Sequence, residues 1–165
     1  LILSNISKYK VGVFVNEDFE SIRDKILKQN LTHVQLHGDE SPSLCKKLMT
    51  LVRVIKAFRI SQYFDINKTH EYLESCDYFL FDTDSDSFGG SGKKFNWDII
   101  KNFTKKKFFL SGGIDLESID KIQKIKKENE YLFAVDINSK FEFSPGNKDI
   151  KKIKRFLKKL NDGKF

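Results

Sequence analysis

An aspartate at the end of an apolar run is the residue of this chain best placed for proton chemistry. Residues 78–81 are continuously apolar, as in a strand buried on both faces, and Asp82 follows them directly. A carboxylate that emerges where a strand leaves a sheet can transfer protons. The glycines that follow, Gly89, Gly90 and Gly92, let a loop approach a ligand closely. We expect that loop to act as a lid.

Composition and charge bound the kind of protein. The chain has 165 residues, 39% of them hydrophobic, which is enough for a single domain over residues 1–165 with its own core. The sequence shows no signal segment and no apolar run of membrane length, so we expect a cytoplasmic protein. The net charge of +7 comes from lysines spread over predicted helix faces. This distribution favours an anionic small molecule as the partner, rather than nucleic acid or a membrane.

Short apolar segments alternate with helical segments along the chain. The predicted strands are residues 11–15, 33–36, 52–55, 78–81, 108–110 and 132–135. The predicted helices are residues 19–29, 43–50, 70–75, 97–103, 116–126 and 150–160. Strict alternation predicts a parallel sheet. The spacing, about 20 to 30 residues per strand and helix, favours a (β/α) barrel over a bundle or a sandwich.

Polar residues or glycines follow most of the predicted strands. They are Asn16 and Glu17, residues 37–40, Lys56, Asp82, residues 111–113 and residues 136–139. In a barrel the carboxyl ends of the strands meet on one face, where such enzymes carry out their chemistry. The sequence therefore predicts one site built from these strand ends.

Taken together, these segments resemble the phosphoribosylanthranilate isomerase family, barrel enzymes of tryptophan biosynthesis. Residues 11–17 resemble that family's third strand, and residues 34–40 its fourth. The segments that resemble the fifth to eighth strands are residues 54–57, 81–83 with 89–97, 110–113, and 134–136 with Glu142, residues 145–146 and residues 148–149. Each segment alone is weak evidence. Their order and spacing over nearly the whole chain make the resemblance specific.

The resemblance implies a fold and a reaction. The fold is a (β/α)8 TIM barrel, of which this chain carries strands three to eight. The reaction is a cofactor-free, metal-free Amadori rearrangement of N-(5-phosphoribosyl)anthranilate to 1-(2-carboxyphenylamino)-1-deoxyribulose 5-phosphate. A general acid protonates the furanose ring oxygen, and a general base then removes the C2′ proton. By resemblance, Asp82 is the acid.

The resemblance also implies a phosphate site in the loops after the seventh and eighth strands. Gly112 and Gly113 match the first of these loops, and Asp136 and Ser139 match the second. Asn138 stands where a serine is common, and it can still donate a hydrogen bond. Lys140 stands where glycine is usual, and there it either adds a positive charge or disfavours a turn of positive φ.

Two further polar residues, His37 and Lys56, each have a possible structural role and a possible role in binding the substrate. His37, at the end of the second predicted strand, is equally consistent with substrate contact and with a structural hydrogen bond. Lys56, which we place at the barrel mouth, is equally consistent with a structural ion pair and with substrate contact.

The chain departs from the family at the general base. That base is a cysteine in a Lys-x-Cys-Gly-x-Thr segment of the first strand, and this sequence has no such segment. Cys45 and Cys76 occur elsewhere, and we expect both to be buried and inert. By comparison with the family, we therefore expect the first two strands to be missing from this chain, and we expect the chain alone to be inactive.

Several alternatives follow from that departure. A sheet lacking two of eight strands has two unpaired edges, so we expect a longer protein, a second chain that completes the sheet, or a homo-oligomer. The alternative function is a non-catalytic barrel remnant that binds a phosphate ligand and lacks the base.

Overall fold

The computed structural model describes residues 8–83 and 96–162, which form an α/β fold of six parallel strands alternating with helices. The strands are β1 (Val11–Phe14), β2 (His33–Leu36), β3 (Arg53–Ile60), β4 (Tyr78–Thr83), β5 (Phe108–Leu110) and β6 (Leu132–Val135). The α-helices are α1 (Phe19–Gln29), α2 (Pro42–Leu48), α3 (Ile119–Glu128) and α4 (Ile150–Asp162). The predicted parallel α/β class is confirmed.

Shorter elements complete the described chain. Four 3₁₀ helices cover Ile66–Tyr72, Trp97–Ile99, Leu116–Ser118 and Ser139–Phe141. A small antiparallel hairpin is formed by β7 (Glu142–Ser144) and β8 (Asn147–Lys148). Within the described residues, none of the helices combines the length and the apolar character needed to cross a membrane.

The predictions for one strand and two helices are wrong. The third strand does not end at residue 55, because β3 continues to Ile60 and buries most of its side chains, so Lys56 lies inside the strand. The helices predicted at residues 70–75 and 97–103 are short 3₁₀ segments. Each begins after a capping residue whose side chain accepts from the amide two residues further on: Asp65 from Asn67, and Asn96 from Asp98.

The chain divides into two compact units, and the first comprises Leu1–Phe58 with Asp65–Leu80. Strand β1 pairs with β2, and β2 with β3, in parallel register and in chain order. Helix α1 begins at the Asp18 cap, ends at Asn30 in the left-handed region, and turns Ile22 and Ile26 into the core. The other buried side chains around these strands include Val34, Leu36, Cys45, Leu48 and Val54.

The second unit comprises Arg59–Phe64 with Phe81–Phe165. Its core contains a phenylalanine cluster in which the ring centroid of Phe81 lies 5.3 Å from that of Phe103 and 5.3 Å from that of Phe108. Strand β5 pairs in parallel with β6. Helix α3 buries three isoleucines, and α4 buries Phe156 and Leu160.

A buried asparagine ties two segments of the second unit together. Asn129, 3% exposed, donates through Nδ2 to the carbonyl oxygens of Lys101 and Phe103, each at 2.9 Å. Its Oδ1 accepts from the Tyr131 amide at 2.9 Å. One side chain thus satisfies three backbone groups around the start of β6.

We predict that Asn129→Ala lowers the free energy of unfolding by about 2 to 4 kcal/mol, because buried carbonyl and amide groups lose their partners. Urea denaturation measures this change. The control is Asn102→Ala at an exposed position, expected to change stability by less than about 0.5 kcal/mol. Equal effects of the two substitutions would contradict the role given to Asn129.

Candidate active site

A buried ion pair organises the strand ends of the first unit. Lys56 and Glu40 are 3% and 4% exposed, and their Nζ and Oε2 atoms lie 3.0 Å apart. Lys56 Nζ also donates to the carbonyl oxygen of Gly38 at 2.6 Å and, more weakly, to that of Leu36 at 3.3 Å. The predicted structural ion pair of Lys56 is thus confirmed. Lys56 lies inside β3 and not at the end of that strand.

The Glu40 carboxylate in turn holds the backbone around it. It accepts from the Gly38 amide at 3.0 Å and from the Asn16 amide at 2.9 Å. Asn16 has a φ of 53° and its Oδ1 accepts from the Asp39 amide at 2.7 Å. A Cβ at residue 38 would lie 2.3 Å from Asn16 Oδ1, so only glycine fits there. The loops after β1 and β2 are therefore fixed against each other.

His37 lies directly after β2, as predicted. Its backbone amide donates to the carbonyl oxygen of Phe14 at 2.8 Å, which extends the β1–β2 ladder by one residue. Its ring Nδ1 lies 2.9 Å from Gln35 Nε2, and the side chain is half-buried. The structure thus shows the predicted structural hydrogen bond, and the substrate contact stays a prediction.

Both cysteines are buried, which confirms the expectation for them. Cys45 lies in α2, and burial raises the pKa of its thiol to about 11. Cys76 donates through Sγ to the carbonyl oxygen of Tyr72 at 3.3 Å. A raised pKa keeps the Cys45 thiol protonated, and burial removes both thiols from contact with a substrate, so neither cysteine is suited to be a general base.

In the second unit, the ends of β4 and β5 meet. Asp82 is the penultimate residue of β4, and its Oδ1 accepts from the Thr83 amide at 2.8 Å. Gly112 follows β5 with a φ of 87°, and a Cβ there would lie 2.2 Å from Thr83 Oγ1 and 3.0 Å from Asp82 Oδ1. Gly113, next in sequence, has a φ of 62°. The structure thus brings the predicted acid against the predicted phosphate loop.

The ends of β5 and β6 are joined by a hydrogen bond between side chains. Ser111 is 7% exposed and its Oγ donates to Asp136 Oδ2 at 3.1 Å. The Asp136 amide donates to the carbonyl oxygen of Leu110 at 2.8 Å. The two predicted phosphate loops are therefore attached to each other at their first residues.

The loop after β6 leads into a 3₁₀ helix that contains Ser139 and Lys140. Asn138 precedes this helix, and its Oδ1 accepts a hydrogen bond from Lys148 Nζ. Lys140 is exposed and is not among the described residues of positive φ. The concern that Lys140 distorts a turn of positive φ is therefore wrong, because the backbone here is helical.

Some predicted features lie beyond what the structure describes. Gly89, Gly90 and Gly92 fall outside the described residues, so the lid stays a prediction. Over residues 8–83 and 96–162, no group of three or more His, Cys, Asp or Glu side chains is arranged to hold a metal ion.

The specific partners of the site residues are not predicted from the sequence. These partners are Glu40, Thr83, Ser111, Glu142 and Lys148. One signal for Glu40 is available in the sequence: a lysine within an apolar strand needs a buried counter-charge. The others depend on contacts between segments that are far apart in sequence.

An α/β fold whose parallel strands end in carboxylates and glycine turns is typical of enzymes that bind small phosphorylated molecules. The sequence matches the family described as N-(5'phosphoribosyl)anthranilate (PRA) isomerase over residues 1–159. The chain belongs to this family.

Individual relatives agree with that assignment. The N-(5'-phosphoribosyl)anthranilate isomerase of Parabacteroides distasonis is 43% identical over 157 residues, 94% of this chain and 70% of the relative. That of Phocaeicola vulgatus is 42% identical over 154 residues, 92% of this chain and 74% of the relative. The crystal structure of the Thermotoga maritima enzyme superposes with a TM-score of 0.81 at 37% identity, over 93% of this chain and 73% of that one.

A further solved structure is the same kind of isomerase in complex with reduced 1-(o-carboxyphenylamino)-1-deoxyribulose 5-phosphate. It superposes with a TM-score of 0.80 at 32% identity and covers 98% of this chain and 76% of that chain.

We predict that Gly112→Ala is much more costly than Gly146→Ala, although both glycines have a φ above 80°. Gly146 has open space around its Cβ position, so alanine there adds only the strain of positive φ, about 1 kcal/mol. At Gly112 the new methyl group must also displace Thr83, which raises the cost to at least about 3 kcal/mol. Urea denaturation measures both values, and similar costs at the two positions would contradict the close packing of Gly112.

Proposed function

We propose that this chain carries the general acid and the phosphate loops of an isomerase that converts N-(5-phosphoribosyl)anthranilate to 1-(2-carboxyphenylamino)-1-deoxyribulose 5-phosphate. The observation that carries the proposal is the position of Asp82, whose Oδ1 lies 3.0 Å from where a Cβ of residue 112 would be. An acid and a candidate phosphate loop are thus neighbours at two adjacent strand ends. Family membership and the related complex support the choice of substrate.

Asp82 is assigned the first proton transfer. It donates a proton to the furanose ring oxygen, the ring opens to a Schiff base, and removal of the C2′ proton then gives an enolamine that tautomerises to the ketone. The hydrogen bond from the Thr83 amide restricts rotation of the carboxyl group. Fixed orientation matters here because proton transfer requires hydrogen-bond contact with the ring oxygen.

The substrate phosphate is assigned to the loops after β5 and β6. Gly112 and Gly113 offer backbone amides, and Asn138 and Ser139 offer side-chain donors. Asp136 opens the second loop and is held by Ser111. The loop with Gly89, Gly90 and Gly92 is retained as the lid, and the substrate contact of His37 stays a prediction.

The general base is a residue other than Cys45 and Cys76, because both thiols are buried. We infer that β1 to β6 correspond to the third to eighth strands of the family's barrel, and that the base belongs to a first-strand segment of the Lys-x-Cys-Gly-x-Thr type. The length covered, 70% of one relative and 74% of another, is consistent with this correspondence. The reaction then needs that segment, supplied covalently or by a second chain.

We predict that the 165-residue chain alone gives no detectable turnover, and that a segment carrying the family's first two strands restores it. The acid needs a base held at the opposite side of the substrate, and a base that is not held in place is far less effective. Anthranilate fluorescence measures consumption of the substrate with and without the segment. Family-level turnover by the chain alone would contradict the prediction that the chain lacks the base. His37 would then be the first residue to replace in a search for another base.

We predict that Asp82→Asn in the completed enzyme lowers kcat by about 10² to 10⁴, because asparagine cannot deliver a proton to the ring oxygen. The free energy of unfolding should change little. The matched control is Asp98→Asn, an exposed acid for which kcat should stay the same. Near-normal turnover of Asp82→Asn would overturn the assignment of the acid.

Phosphate binding without turnover in the completed protein would favour the non-catalytic alternative.

A further inference from the structure

Lys148 lies between two acceptors of the second unit. Its Nζ pairs with Glu142 Oε1 at 2.7 Å and donates to Asn138 Oδ1. Glu142 and Lys148 are register partners across the β7–β8 hairpin, and the Gly146 amide donates to the same Oε1 at 3.2 Å. The hydrogen bond from Lys148 lowers the pKa of the Glu142 carboxyl. The hairpin therefore holds the Lys148 ammonium at a defined place beside Asn138.

The hydrogen bond between the Lys148 ammonium and the Asn138 carboxamide fixes the orientation of the Asn138 side chain. A carboxamide has one end that accepts hydrogen bonds and one end that donates them, whereas an ammonium group only donates. The Nδ2 group of Asn138 cannot face Lys148, because two donors would then oppose each other. Oδ1 faces Lys148, and the NH₂ donor of Asn138 is directed away from it.

We propose that Lys148 is a positioning residue for the phosphate site: it fixes the Asn138 carboxamide so that the NH₂ group is offered to the substrate phosphate. The proposal rests on the phosphate role given above to the loop after β6. Glu142 balances the charge of Lys148, so the contribution of Lys148 to phosphate binding passes through Asn138 and not through direct attraction.

Inorganic phosphate is the probe, and the amide signals of Gly112, Gly113 and Ser139 in the NMR spectrum report binding. Lys148→Met should weaken phosphate binding about tenfold, since the carboxamide loses its fixed orientation. Lys148→Arg keeps a donor and should stay within about threefold of the unmodified chain. Asn138→Asp keeps the acceptor but loses the donor, and should weaken binding at least as much as Lys148→Met.

A double-mutant cycle separates positioning from direct attraction. In an Asn138→Ser background there is no carboxamide to orient, so adding Lys148→Met should change phosphate affinity by less than about twofold. An equal loss in both backgrounds would show that Lys148 attracts the anion directly and would overturn the proposal. The matched control is Lys151→Met, which removes one exposed positive charge and should leave the affinity within about twofold.

A second measurement does not depend on phosphate. In the free chain, the side-chain NH₂ signals of Asn138 should differ from those of a solvated asparagine, collapse toward them in Lys148→Met, and be retained in Lys148→Arg. Unchanged signals in Lys148→Met would overturn the orienting role. If phosphate shifts no loop amide even in the unmodified chain, the phosphate role of the loop fails, while these signals still decide whether Lys148 orients Asn138.

Discussion

Parallel strand pairing is the constraint on which the site residues of both units depend. In the first unit the β1–β2 ladder continues past the strands, where the His37 amide donates to Phe14. In the second unit the Ser111 amide donates to Phe81 and the Asp136 amide to Leu110 in the same way. Because each bond is made by the residue that follows a strand, the first loop residue is as well fixed as the strand itself. Side chains with chemistry are thus held in place although they belong to loops.

The two units fix their loops by different physical means. In the first unit, burying the charge of Lys56 or of Glu40 alone would be strongly unfavourable. Their ion pair, together with their hydrogen bonds to backbone groups, offsets the cost of desolvation. Removing either partner would leave an unpaired charge in the core. In the second unit, Gly112 packs its backbone directly against Thr83, and Ser111 donates a hydrogen bond to Asp136. Close backbone packing and a hydrogen bond to a carboxylate hold these strand ends together.

The sequence predicts the elements whose pattern is strong and local. Helix α1 has a capping aspartate, an apolar stripe and an asparagine end, and strands β2, β5 and β6 are short apolar runs, so their bounds agree with the prediction. Strand β3 is predicted too short because Lys56 reads as the end of an apolar run. The burial of Lys56 is explained by its ion pair with Glu40, which lies sixteen residues away in sequence. The length of β3 is therefore set by a tertiary contact and not by the local pattern of apolar residues.

The same distinction applies to the site. Asp82 is predicted from its place after an apolar run, and Gly112 from the family resemblance. Their contact depends on how two strands pack, and the link from Lys148 to Asn138 depends on a hairpin. All these residues belong to the second unit, whereas both buried cysteines belong to the first. The groups proposed as acid and phosphate loops are therefore built within one unit, and neither cysteine takes part in the described contacts. Of the two proposed functions, only the isomerase requires a base in addition to these groups, so the base is the group that distinguishes an isomerase from a binding remnant.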